Sequence, residues 1–205
     1  MHQQIHLQFL CKMKKIIMSF ATLILLSTNV GAAKISEQKV NVFYKNNRFK
    51  NSIAYCISRA EKKQYFNFIK STFKRHRLPY ELIYLPVIES CFNPYAESPK
   101  GALGMWQIND ITAKHVGLKE GFFTDERYNW KKSTVAAAKY LLFLRERFDN
   151  WELTIAAYNV GPTFLRNQIQ KYNTNDIEKL RLPRETRDYV YKFKALIKYT
   201  KKSRS

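Results

Sequence analysis

Apolar residues at helical spacing set the strongest limit on what this chain can fold into. Thr134, Ala137, Leu141, Leu144 and Phe148 fall alternately three and four residues apart, the separation that places side chains on one face of an α-helix. Ser133 or Thr134 is expected to cap this helix and Asp149-Asn150 to end it. Ile53, Ile57, Tyr65, Phe66, Ile69 and Phe73 recur at similar intervals and predict one or two amphipathic helices over residues 52–76. Tyr189, Val190, Phe193, Leu196 and Ile197 predict a last helix over residues 184–200. Shorter helices are expected over 105–116, closed by Gly117, over 151–159, stopped by Gly161-Pro162, and over 163–171. No stretch reads as a convincing strand and no segment repeats. The fold class is all-α, or at most an α-dominated α+β.

One stretch, Leu78 to Gln107, combines apolar and polar chemistry in a way the helices around it do not. The run Leu82-Ile83-Tyr84-Leu85-Pro86-Val87-Ile88 ends on a single carboxylate, Glu89. Pro79 suits the first turn of a helix ending near Glu89, and Pro86 is expected to kink that helix or tighten its last turn. Beyond Glu89 the chain becomes loop-like through Asn93-Pro94, Ser98-Pro99, Gly101 and Gly104. An acid at the mouth of an apolar segment is held partly out of water, which raises its pKa and suits it to act as a general acid near neutral pH. Glu97, Asp110, Asp125 and Glu126, among the acids that follow, stand in polar or loop-like contexts.

The ends of the chain speak to compartment. Lys14-Lys15, an apolar run from Ile16 to Leu26 and the small residues Gly31-Ala32-Ala33 have the order of a secretory signal peptide over residues 1–33, with Met13 expected as the true start. Residues 34–51 are polar, basic and without sustained period, and are expected to be a flexible lead-in to a helical segment at 52–77. Past the signal only Cys56 and Cys91 remain, so a disulfide and two buried thiols are both open. Neither cysteine has a partner at metal-ligand spacing, and no metal is expected. The formal charge is +20; removing Lys12, Lys14 and Lys15 leaves +17 (20 − 3). Such a surface attracts polyanions. With an export signal, a carboxylate-bearing wall polymer fits the compartment better than nucleic acid.

Four motifs occur in order: Glu89-Ser90, Gly101-Ala102-Leu103-Gly104-Met105-Trp106-Gln107, Ala156-Ala157-Tyr158-Asn159 with Gly161, and Leu182-Pro183-Arg184-Glu185-Thr186-Arg187-Asp188-Tyr189-Val190. Together they resemble the catalytic domain of bacterial murein lytic transglycosylases, the SLT type, closest to the membrane-bound D subgroup. The resemblance covers roughly residues 78–200 and implies a lysozyme-like helical domain with a groove for glycan strands. It implies cleavage of the β-1,4 bond between N-acetylmuramic acid and N-acetylglucosamine, with closure of a 1,6-anhydro ring. Glu89 matches the family's catalytic acid, which then acts as base. Ser98, Gln107, Tyr158, Asn159 and Tyr189 match positions that shape the sugar pocket. Cys91 departs from the family pattern, which more often has a small residue there.

The residues have sensible chemistry of their own for such a role. Gln107 and Asn159 carry both donor and acceptor for sugar hydroxyls and amides, and the tyrosines combine an aromatic face with a hydroxyl. Taken alone, each tyrosine at apolar helical spacing reads as core, Asn159 as a helix end and Ser98 as the start of a turn. The expectation is a monomeric, exported, periplasmic or envelope-associated enzyme. It would act on peptidoglycan strands, with no cofactor, no nucleic-acid partner and no stable membrane anchor after signal removal. A hydrolytic muramidase of the goose-type kind and a non-catalytic wall-binding protein are the alternatives.

Overall fold

The computed structural model of the protein describes residues 36–121 and 124–203. The signal segment expected over residues 1–33 lies outside them. The described residues form nine α-helices: α1 (Glu37–Lys45), α2 (Asn47–Lys62), α3 (Tyr65–Arg75), α4 (Leu85–Glu89), α5 (Asp110–Val116), α6 (Trp130–Phe148), α7 (Trp151–Val160), α8 (Pro162–Tyr172) and α9 (Arg184–Lys202). A 3₁₀ helix, Tyr80–Tyr84, leads into α4. Among the described residues the extended backbone makes only isolated bridges, Glu97 with Leu103, Leu103 with Ile108, and Glu120 with Asp125. The all-α expectation agrees with this architecture.

Helix α6 runs through the interior. Ala136, Ala137, Ala138, Leu141 and Leu144 are buried on it, and the helix packs against α3, α5 and α7. The small alanines let neighbouring helices come close while the leucines fill the space between. The cap lies earlier than expected: the Asn129 side chain accepts from the backbone N–H groups of Lys131 and Lys132 (3.2 and 3.1 Å). Ser133 and Thr134 are instead fully buried. Thr134 Oγ1 donates to the Trp130 carbonyl and accepts from Trp106 Nε1 (2.9 Å). Asparagine caps at least as well as a hydroxyl residue, and the threonine is committed to the core.

Residues 36–51 do not form a flexible lead-in. They make α1 and the first turn of α2, and α1 lies along α9. Val40 is buried, the Lys198 ammonium donates to Glu37 (2.7 Å) and Asn41 (2.9 Å), and Glu178 accepts from the Ser36 N–H (3.0 Å) and pairs with Lys39. The segment is helical here because a short apolar stripe, Val40 with Phe43 and Tyr44, packs on the core and several ion pairs dock the helix on a neighbour that lies far along the sequence.

The segment around Glu89 also differs from one kinked helix. Tyr80–Tyr84 is 3₁₀, and Pro86 sits in the first turn of a separate five-residue α4. A proline there costs no hydrogen bond, because first-turn N–H groups have no intrahelical partner. Helix formation over 105–116 is confined to Asp110–Val116; the preceding residues turn back on Leu103 through paired Leu103–Ile108 backbone bonds (3.0 Å each).

Candidate active site

Three elements converge on the Glu89 carboxyl. Glu89 is the last residue of α4, Tyr189 lies in the second turn of α9, and Tyr158 lies near the end of α7. Leu82, Ile83, Leu85 and Val87, buried before Glu89, fix the base of the site in the core. Glu89 itself is partly buried. The Tyr189 hydroxyl donates to Glu89 Oε1. The Tyr158 hydroxyl donates to the Trp106 carbonyl (2.7 Å), and its ring packs on Tyr140 at 5.7 Å.

The electrostatics follow from this enclosure. Burial lifts the Glu89 carboxyl from its ordinary 4.5 to about 8, and the Tyr189 hydrogen bond offsets only part of that rise. Burial also pushes the Tyr158 and Tyr189 hydroxyls well above the usual tyrosine range, with the Glu89 charge adding to the effect. Both phenols therefore remain neutral donors at any working pH. Near neutrality Glu89 keeps its proton. With Tyr189 on Oε1, the other carboxyl oxygen is the one placed to carry it.

The loop between α4 and α5 carries two further candidate residues, Ser98 and Gln107. Ser98 and Ala102 close a turn through their backbones (2.9 Å), and Ser98 Oγ accepts from the Ala102 N–H (2.9 Å). Gln107, at a left-handed φ of 48°, donates from Nε2 to the carbonyls of Gly104 (2.9 Å) and Ala96 (3.2 Å). Gly104 has φ 78°, and a Cβ there would meet the Arg127 carbonyl oxygen at 2.0 Å. Arg127, buried, ties the same loop down by pairing with Asp110 and Asp125. Ser98 and Gln107 thus spend hydrogen bonds on shaping the loop, while the Gln107 carbonyl oxygen retains its acceptor capacity. Asn159 follows Tyr158 in the last turn of α7, partly buried, one residue before Val160 and Gly161.

Four of the acids that follow Glu89 are occupied elsewhere. Glu97 accepts from Tyr128, Asp110 and Asp125 pair with Arg127, and Glu126 holds Lys132 and the Lys119 N–H. Among the described residues no cluster of His, Cys, Asp and Glu has the arrangement of a metal site. One feature escaped the reading of the sequence and another had been left open by it. Tyr140 backs Tyr158, a contact hidden in the helical stripe of α6. Cys56 and Cys91 form a disulfide, with Cα atoms 4.8 Å apart; the even pair of cysteines was its only sign.

Comparison with known proteins adds an independent line. The family profile described as "Transglycosylase SLT domain" matches residues 65–181. Membrane-bound lytic murein transglycosylase D of Escherichia coli K12 is 35% identical over 176 residues, covering 83% of this chain and 38% of that protein. Peptidoglycan transglycosylase gp16 of Escherichia phage T7 is 41% identical over 106 residues, covering 50% of this chain and 8% of that protein. The chain therefore spans well under half the length of these relatives. A 70-kDa soluble lytic transglycosylase, solved in complex with bulgecin A, superposes with a TM-score of 0.60 at 21% identity, covering 82% of this chain and 30% of that one; this likeness carries the fold. The profile takes in α3 to α8, including Glu89, the Gly104–Gln107 turn and Tyr158, and the relative at 35% identity extends the match across most of the chain. This protein belongs to the SLT transglycosylase domain family.

Proposed function

We propose that the chain is a peptidoglycan lytic transglycosylase, cleaving the β-1,4 bond between N-acetylmuramic acid and N-acetylglucosamine. Glu89 serves as the one acid and then the one base. Protonated near neutral pH, it delivers its proton to the glycosidic oxygen as the bond breaks. The resulting carboxylate, steadied by Tyr189, takes the proton of the muramic acid 6-hydroxyl, and that oxygen closes the 1,6-anhydro ring. The proton count balances without water, so Glu89 ends the cycle protonated.

The observation that carries this reading is a single raised carboxyl held by a neutral tyrosine donor, while Glu97, Asp110, Asp125 and Glu126 are committed to other partners. Glycosidases that add water across the bond by the usual route place a second carboxylate opposite the acid. Tyr158, Asn159, Gln107 and Ser98 are assigned to the sugar pocket, with residues 78–200 as the catalytic domain. The printed names of the relatives support murein as substrate. Export to the periplasm is the localisation proposed: the Cys56–Cys91 disulfide favours an oxidising compartment.

Digestion of purified sacculi by the protein, followed by mass spectrometry of the released muropeptides, tests the assignment. Products lighter by one water at muramic acid, lost in Glu89→Gln, are expected. Hydrated reducing ends would replace the lyase with a hydrolytic muramidase. Strand binding without release would leave a wall-binding protein.

A further inference from the structure

Helix α4 has five residues, too few to hold its shape in water, so the place of Glu89 at its end is set by what the flanking chain is tied to. Ser90 Oγ donates to the Met105 carbonyl (2.7 Å), and the N–H groups of Ser90 and Phe92 both return to the Pro86 carbonyl (3.1 Å each). Between them the backbone passes through two consecutive left-handed residues, Cys91 at φ 53° and Phe92 at φ 57°. Neither is glycine, so the turn is disfavoured on its own. Two anchors oppose its relaxation. The Phe92 ring is fully buried, 5.3 Å from Phe66, and Cys91 is bonded to Cys56, a buried residue of α2. The described site side chains, Glu89, Tyr158 and Tyr189, come from α4, α7 and α9; α2 reaches the acid's turn through the bridge.

We propose that the Cys56–Cys91 disulfide is a positioning element for Glu89, tying the left-handed turn to α2 so that the carboxyl stays enclosed and in register with Tyr189. The inference rests on the assignment of Glu89 as the acid. The titratable groups facing Glu89 are Tyr189 on α9 and Tyr158 on α7, both neutral. No nearby charge therefore dominates the proton affinity of Glu89, which depends on how closed its surroundings are, and the turn governs that closure.

The test compares the parent protein with Cys56→Ala/Cys91→Ala. It reads melting, kcat and KM on sacculi, and the Glu89 carboxyl titration by ¹³C NMR. A folded variant is expected to keep KM within about two-fold while kcat falls about ten-fold or more. Its Glu89 pKa is expected to drop by about one unit or more, as water reaches the carboxyl. Unchanged kcat and an unchanged titration, in a variant that merely melts lower, would overturn the proposal and leave the bridge a stability device. Should the double alanine variant fail to fold, Cys56→Ala/Cys91→Gly carries the same comparison, since glycine accepts the left-handed turn without strain. The titration needs no product. A bridge-dependent pKa in a parent that releases nothing from sacculi would therefore refute the reaction while upholding the positioning.

Discussion

Tyr189 and Glu89 lie 100 residues apart in sequence, and the phenol of one donates to the carboxyl of the other. The contact joins the start of α9 to the end of α4 and decides which carboxyl oxygen is left to act. Hydrogen bonds to charged groups are worth about 1.5–3 kcal/mol. Tyr189→Phe is therefore expected to lower kcat about 10- to 100-fold. Because this hydrogen bond lowers the Glu89 pKa, its loss should move the alkaline limb of the pH–rate profile upward. Parental turnover and an unmoved limb in Tyr189→Phe would remove the steering role.

The protonation state of Glu89 makes both activity and stability depend on pH. The first step needs the acid form, so turnover should fall as pH rises through about 8. For stability, the unfolded chain releases this proton near 4.5 whereas the folded chain holds it to about 8. Between those values the folded state binds more protons, so stability declines as pH rises and levels off above the folded pKa. Glu89→Gln removes the effect. Melting curves of the two proteins should coincide below about pH 4.5 and separate by several degrees by about pH 8, the variant melting higher. A constant difference across pH would contradict the raised pKa.

Gly104→Ala is expected to be among the most damaging single-methyl changes in the protein. The new Cβ would lie 2.0 Å from the Arg127 carbonyl oxygen, at a φ of 78°. Moving either strand of the loop breaks the anchor that Arg127 makes with Asp110 and Asp125. Denaturant titration should show a loss of about 3 kcal/mol or more. A loss below about 1 kcal/mol would mean the loop relaxes freely.

Helix α1 is part of the folded unit, with Val40 buried against it and Lys198 of α9 bound to Glu37 and Asn41. Val40→Asp places a carboxylate where an apolar side chain was. It should destabilise the protein by about 2–4 kcal/mol with little change in the Glu89 titration. Thermal melting indistinguishable from the parent would return residues 36–46 to the status of a lead-in.

The formal charge, +17 without residues 1–33 (20 − 3), should appear in binding. Affinity for glycan strands is expected to weaken as salt rises from about 0.05 to 0.5 M, where the Debye length shrinks from over 10 Å to a few ångströms. Affinity indifferent to salt would deny the basic surface any part in holding the wall.

Much of the fold was legible because helix faces are written locally. The spacing of Thr134, Ala137, Leu141, Leu144 and Phe148 announced α6, and Tyr189 to Ile197 announced α9. Boundaries were less legible, because caps compete. Asn129 took the N-terminus of α6 once Thr134 was drawn inward by Trp106. Helix α1 was not read from the sequence, because its apolar stripe of Val40, Phe43 and Tyr44 is only about one turn long and it docks on partners more than 130 residues away, such as Glu178 and Lys198.

The sequence by itself determined the helical class and marked Glu89 as a carboxyl at the edge of an apolar run. It also set out four motifs whose order pointed to the family. Those are properties of neighbouring residues, and periodicity and local context carry them. Only the tertiary structure decided that Tyr189 reaches Glu89 and that Tyr158 turns its hydroxyl to the Trp106 carbonyl. It also decided that Gln107 and Ser98 brace a loop, and that Cys56 finds Cys91. The proton affinity of Glu89 belongs to the second group for the same reason. Desolvation is set by the chain segments that close around the carboxyl, and those that meet there come from three helices, α4, α7 and α9, far apart in sequence.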